Sequence, residues 1–209
     1  MNFLSWNHNT YYQPLLLREL PPRCERILDV GCGTGEFAVQ LAEQAEHVDA
    51  LDRSPEMIRA ARARVPANVT CIEADLLRRR VPLEHYDAIT SISALHHLVL
   101  AEALPRLSAA LRPGGVLVAT ALPRTDLPRE LPLELAAVVM HNVRGLVLAG
   151  ARAIHGESVP VDAAAGQMPI AEPRLTTREV RREAAAALPG SRVRRLLFWR
   201  YLLVWHKKA

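Results

Sequence analysis

Four groups of side chains in this 209-residue chain have types and spacings that could do chemistry. The first is "LDVGCGTGEF", residues 28–37, where Gly31, Gly33 and Gly35 crowd behind Asp29. Glycines at that density let a ligand approach the backbone closely. The second and third are acids, Asp52 in "HVDALD" and Asp75 in "CIEADL", each at the close of an apolar run. The fourth is the adjacent pair His96 and His97 in "SALHHL".

The neighbours of the glycines indicate the kind of ligand. "GCGTG" is GxGxG rather than the dinucleotide GxGxxG, and no P-loop lysine follows it. Glu36 stands where a helix should begin, and it would repel a phosphate and compete for the free N–H groups. With Asp29 in front of the turn, the surroundings suit a cation, such as a sulfonium carrying an α-amino group. Asp52 lies seventeen residues past Gly35, at the carboxyl end of a strand, where an acid accepts from both ribose hydroxyls. Asp75 is placed to accept from an exocyclic adenine amine, and Met57 to lie against the adenine face.

Placing these groups requires alternating strands and helices. Short apolar runs predict strands at 26–30, 47–51, 69–73, 87–92 and 116–121. Helical periodicity predicts helices at 35–45, 55–64 and about 98–111, the last stopped by "LRPGG". After Ala121 the alternation ends. Residues 122–175 are proline-rich, with an apolar helix-like piece at about 131–153, and read as a substrate lid. "TTREVRREAAAALPG" predicts a helix capped by Thr176 or Thr177. Residues 192–208 then read as two strands joined tightly near Trp199 and Arg200.

"ILDVGCGTGEF", "ALDRSPEMI", "CIEADL", "YDAITSISALHHL" and "LRPGGVLVAT", spanning about 27–120, together resemble the class I S-adenosylmethionine (SAM) dependent methyltransferases. The resemblance implies one Rossmann-like α/β domain over residues 1–209. Its sheet would be doubly wound, seven-stranded and mostly parallel, with an antiparallel last strand. It implies SAM as the cofactor and S-adenosylhomocysteine as its product. Asp29 and the backbone of Gly31, Cys32, Gly33 and Gly35 would hold the methionine moiety. Asp52 would take the ribose, with Arg53 and Met57 nearby. Asp75 and the backbone of Ala74 and Leu76 would bind adenine. Ser91 to Ala94, Ser93 included, would line the cofactor near its sulfonium. The N-terminal segment 1–25, with Trp6, His8, Tyr11 and Tyr12, would fold over the pocket, and Tyr11 is the candidate contact there.

Methyl transfer from a sulfonium is an in-line displacement, so positioning and exclusion of water come first. A hydroxyl or acidic-carbon nucleophile also needs a base, for which histidine is suited near neutral pH. His96 is expected to face the pocket, with His97 the second candidate. No metal is expected, because adjacent histidines should point apart and no partner follows four residues on. The expected acceptor is a small molecule methylated on O, N or C. The alternatives are a lipid quinone or RNA met by the basic face, or a SAM-binding regulator without turnover. Strand four ends in "TSIS", not in the Asn/Asp-Pro-Pro-aromatic motif of DNA amino-methyltransferases, which disfavours nucleic acid.

Composition agrees with a soluble globular protein. Half the residues are hydrophobic and 23% charged, with a net charge of +4. Aromatics make up only 5% and none interleaves with the arginine runs, so those read as solvated helix faces rather than a nucleic-acid surface. No apolar run reaches the roughly 18–20 residues of a membrane span. Cys24, Cys32 and Cys71 are scattered and form no Cys-x-x-Cys pair, which points to a reducing cytoplasm. A monomer or homodimer is expected.

Overall fold

The computed structural model describes residues 8–127, 130, 131, 135 and 172–209, with side chains from Thr10 onward. Seven strands form one sheet in the order β3-β2-β1-β4-β5-β7-β6. They are β1 (Cys24–Val30), β2 (Ala45–Asp52), β3 (Val69–Glu73), β4 (Tyr86–Ile92), β5 (Leu111–Ala121), β6 (Arg192–Leu196) and β7 (Arg200–His206). β1 to β5 are parallel neighbours. β7 runs antiparallel to both β5 and β6. The turn that reverses it carries Phe198 and Trp199 at φ of 54° and 55°. Such conformations cost a bulky residue roughly 1–2 kcal/mol. The burial of Phe198 and a hydrogen bond from the Tyr12 hydroxyl to the Leu197 carbonyl hold the turn there.

Helices cover both faces. α1 (His8–Glu19), α2 (Glu36–Leu41) and α3 (Pro55–Arg62) pack on one side, and α4 (Leu100–Ala110) and α5 (Thr177–Ala187) on the other. The two-residue period of strands explains the division: Tyr201, Leu203 and Trp205 join the α4–α5 core, while Leu202 and Val204 join the α1–α3 core. Thr176 is the N-cap of α5. Its Oγ1 accepts from the Glu179 N–H at 3.3 Å, and Glu179 Oε2 accepts from the Thr176 N–H at 2.7 Å.

Several boundaries differ from the sequence expectation, three of them near the site. α2 stops at Leu41 rather than 45, because Glu43 and Gln44 bond three residues back, tightening the last turn before β2 pairs with β1 at Ala45. The expected helix at 98–111 starts later, at Leu100, since Leu95–His97 forms a separate 3₁₀ turn. β5 begins directly at Leu111, and the Pro113-Gly114-Gly115 stretch shifts its register against β4 between Tyr86 and Ala88. Most of 122–175, and Trp6, lie outside the described residues. No helix among the described residues is long and apolar enough to cross a membrane.

Candidate active site

The glycine turn leaves β1 at Val30 and climbs over β2. Gly31 and Cys32 both donate to the Leu51 carbonyl, at 2.7 and 3.0 Å, and Gly33 donates to Asp52 Oδ2 at 3.0 Å. These three N–H groups are therefore committed within the protein. The turn offers a ligand close approach rather than a phosphate cradle. Gly31 has φ of +73°, and a Cβ there would lie 2.2 Å from the Cβ of Ala94. Only glycine lets the turn sit against the segment that follows β4.

Asp29 stands between Ala50 and Thr90 in the middle of the sheet and is fully buried. The Thr90 hydroxyl donates to its Oδ1 at 2.9 Å. Its Oδ2 is buried with no partner among the described residues. Burial foremost, with the nearby Asp52 charge, raises its pKa from 3.8 to about 7, against the lowering effect of Thr90. Among the described residues no cation pairs with this buried oxygen.

Asp29 and the turn wall an open cleft of about 180 Å³ at the carboxyl ends of β1, β2 and β4. Asp52 closes β2 and also lines it. Its Oδ1 accepts from Ser54 N–H at 2.9 Å and its Oδ2 from Gly33, so two backbone donors fix the carboxylate and leave lone pairs over. Arg53, Met57, Ala74, Asp75 and Leu76 complete that end. β3 stops at Glu73, so Asp75 stands two residues beyond the strand rather than closing it. Asp75 Oδ1 accepts from Leu77 N–H at 2.8 Å. The Ala74 N–H is taken by the Asp52 carbonyl at 2.9 Å, which leaves its carbonyl as the backbone group it has to offer.

Ser93 and Ala94 line the cleft, as does His97. Ser93 holds φ of 55°. Ser91 does not line it: fully buried, it donates to the Val30 carbonyl at 2.9 Å. Gly35 starts α2 just outside, and Tyr11 is also absent from the lining, packing edge-on to Tyr12 and Phe198. α1 contributes Gln13 instead, which is buried, lines the cleft and accepts from Gln40 Nε2 at 2.6 Å. Gln13 is the polar interruption beside the "PLLL" run, and that was the available signal.

The two histidines part company. His97 is in the wall of the cleft, whereas His96, expected to face it, opens onto an adjoining cavity. The tight 3₁₀ turn, which buries Leu95 in the core, rotates successive side chains by about a third of a turn. The rings do not point apart as expected; their centroids lie 4.1 Å from each other. Burial, with His97 and Arg200 nearby, lowers the His96 pKa to about 3. Burial and Arg53 lower that of His97, against the pull of Asp52. Both are neutral at pH 7.

Residues 27–115 match the methyltransferase domain family. An uncharacterized methyltransferase of Mycobacterium tuberculosis is 32% identical over 205 residues, covering 96% of each chain. A ubiquinone biosynthesis O-methyltransferase of Xylella fastidiosa is 34% identical over 119 residues, 52% of this chain and 46% of that one. Among solved structures, an S-adenosylmethionine-dependent methyltransferase from Mesorhizobium loti has a TM-score of 0.65 at 20% identity, covering 94% of this chain and 97% of that one. The sheet order with its single reversed strand and the full-length relative agree: this chain belongs to the class I SAM-dependent methyltransferases.

Proposed function

We propose that the chain transfers the methyl group of SAM to a small-molecule acceptor, with the cleft residues in the following roles. The observation that carries the reading is the unpartnered Oδ2 of Asp29, buried beside the glycine turn. The α-amino group of SAM supplies the cation that this oxygen lacks. Asp52, already oriented by Gly33 and Ser54, accepts from the ribose hydroxyls. Met57 and Leu76 flank the adenine, and Asp75 accepts at its edge. SAM brings an electrophilic methyl carbon on a positively charged sulfur. The chain's own part is to align the acceptor, exclude water and take up a proton where the acceptor releases one. His97, neutral and in the wall, is placed to take that proton. The partial relative named as an O-methyltransferase favours oxygen as the acceptor atom.

Titration calorimetry with SAM and S-adenosylhomocysteine tests cofactor binding. A panel of hydroxyl, amine and acidic-carbon acceptors, read by S-adenosylhomocysteine release and by the product's mass, tests turnover. Tight binding without turnover on any acceptor would favour a regulator.

A further inference from the structure

Beside the cleft lies a second cavity of about 150 Å³. The 3₁₀ turn after β4, Leu122 past the end of β5, the first half of α5 and Tyr201 of β7 line it. Its walls are mostly aliphatic: Leu95, Leu100, Leu122, Leu175 and Val180. His97 and Leu98 line both this cavity and the cofactor cleft, so the two spaces adjoin at these residues. A space on the order of 150 Å³ has room for one benzene ring. Among the described lining residues charge is balanced, with Arg174 and Glu183 the one cation and the one carboxylate. A neutral occupant therefore fits better than a charged one. The imidazole Nδ1 atoms of His96 and His97 are both buried without a partner among the described residues.

We infer that this cavity is the acceptor pocket and that it takes a neutral aromatic ring whose hydroxyl lies at the His97 wall. The inference rests on the methyl-transfer reading above and names its substrate class. The hydroxyl oxygen forms the new bond to the methyl carbon while the carbon–sulfur bond breaks and its electron pair stays on sulfur. The hydroxyl proton passes to Nε2 of His97, since Nδ1 is sealed in the wall. Positive charge thus moves from sulfonium to imidazolium, and the proton leaves through the open cleft. His96 is a positioning residue that packs against His97 and the ring.

Phenol is the probe, added to the full chain saturated with S-adenosylhomocysteine and followed through methyl and imidazole NMR signals. Saturable shifts at Val180, Leu175 and the two histidines are expected. Val180→Phe fills the space from α5, and Leu122→Trp fills it from the other wall. Both should weaken phenol binding and lower turnover of phenolic acceptors at least tenfold, with SAM affinity kept within twofold as the test of folding. His97→Gln should keep phenol binding and lower turnover on the order of a hundredfold or more. Phenol shifts confined to other surfaces, or both filled variants retaining turnover, would overturn the assignment. If phenol binds in the cavity but SAM does not bind the chain, the ring pocket stands, and both its acceptor role and the methyl-transfer reading fall. If SAM binds and phenol does not enter, only the pocket assignment falls.

Discussion

Asp29→Asn separates the work of the cleft from the stability of the fold. The substitution keeps size and shape but removes a charge that the ligand-free protein holds without a cation. In the unfolded chain the carboxyl ionises near pH 3.8, while in the fold it keeps its proton to about pH 7. Between those values the folded state binds more protons than the unfolded one, so stability falls as pH rises and stays low above pH 7. At about 1.4 kcal/mol per pH unit, the ionised carboxylate costs the ligand-free fold up to about 4 kcal/mol. For a chain of this length that corresponds to roughly 8–16 °C in Tm. The ligand-free variant should therefore melt above the wild type at pH 8, and the gap should close near pH 4. SAM should reverse the order at pH 8, because its amino group compensates the wild-type carboxylate and finds no charge in the variant. Loss of that charged contact should weaken SAM binding about tenfold or more. Thermal melts at both pH values, with and without SAM, measure all of this. Equal melting of the two ligand-free proteins at pH 8, or unchanged SAM affinity in the variant, would refute the reasoning.

Asp52→Ala removes the proposed acceptor for both ribose hydroxyls and should weaken SAM binding at least tenfold by calorimetry; near-normal affinity would displace the ribose from this residue. Gly31→Ala meets Ala94 at 2.2 Å and a positive φ, so it should cost about 2–5 kcal/mol of stability and disturb the cleft wall at Ala94 and His97. Denaturant midpoints read the first effect and SAM titration the second. Thr176→Ala breaks the capping box of α5 and should lower stability by about 1 kcal/mol without moving SAM affinity; a large affinity change would tie α5 to the cofactor rather than to the second cavity.

Much of the candidate cleft was legible because its placement depends on local rules. Asp29 and Asp52 sit within or at the close of apolar runs that sequence alone locates, and the acids flanking the glycines argue against a phosphate. The structure adds the reason: the N–H groups of Gly31, Cys32 and Gly33 are already bonded to Leu51 and Asp52. That bonding depends on β1 and β2 lying side by side, which spacing does not report. His96 and His97 were legible as a pair but not as individuals, since one residue's rotation in a 3₁₀ turn decides which ring meets the cleft. Gln13 reaches the cleft only because α1 packs across the sheet onto α2. The second cavity was least legible. Leu122, Leu175 and Val180 are aliphatic residues that sequence alone cannot tell from core, and they meet only because α5 and β7 return to the turn after β4. A binding cofactor leaves acids and glycines in register along the chain, whereas an apolar ring pocket asks for nothing that a core would not also ask for. On the proposed assignment acceptor choice depends on how distant elements meet, and filling the space between them tests it more directly than replacing any one polar group.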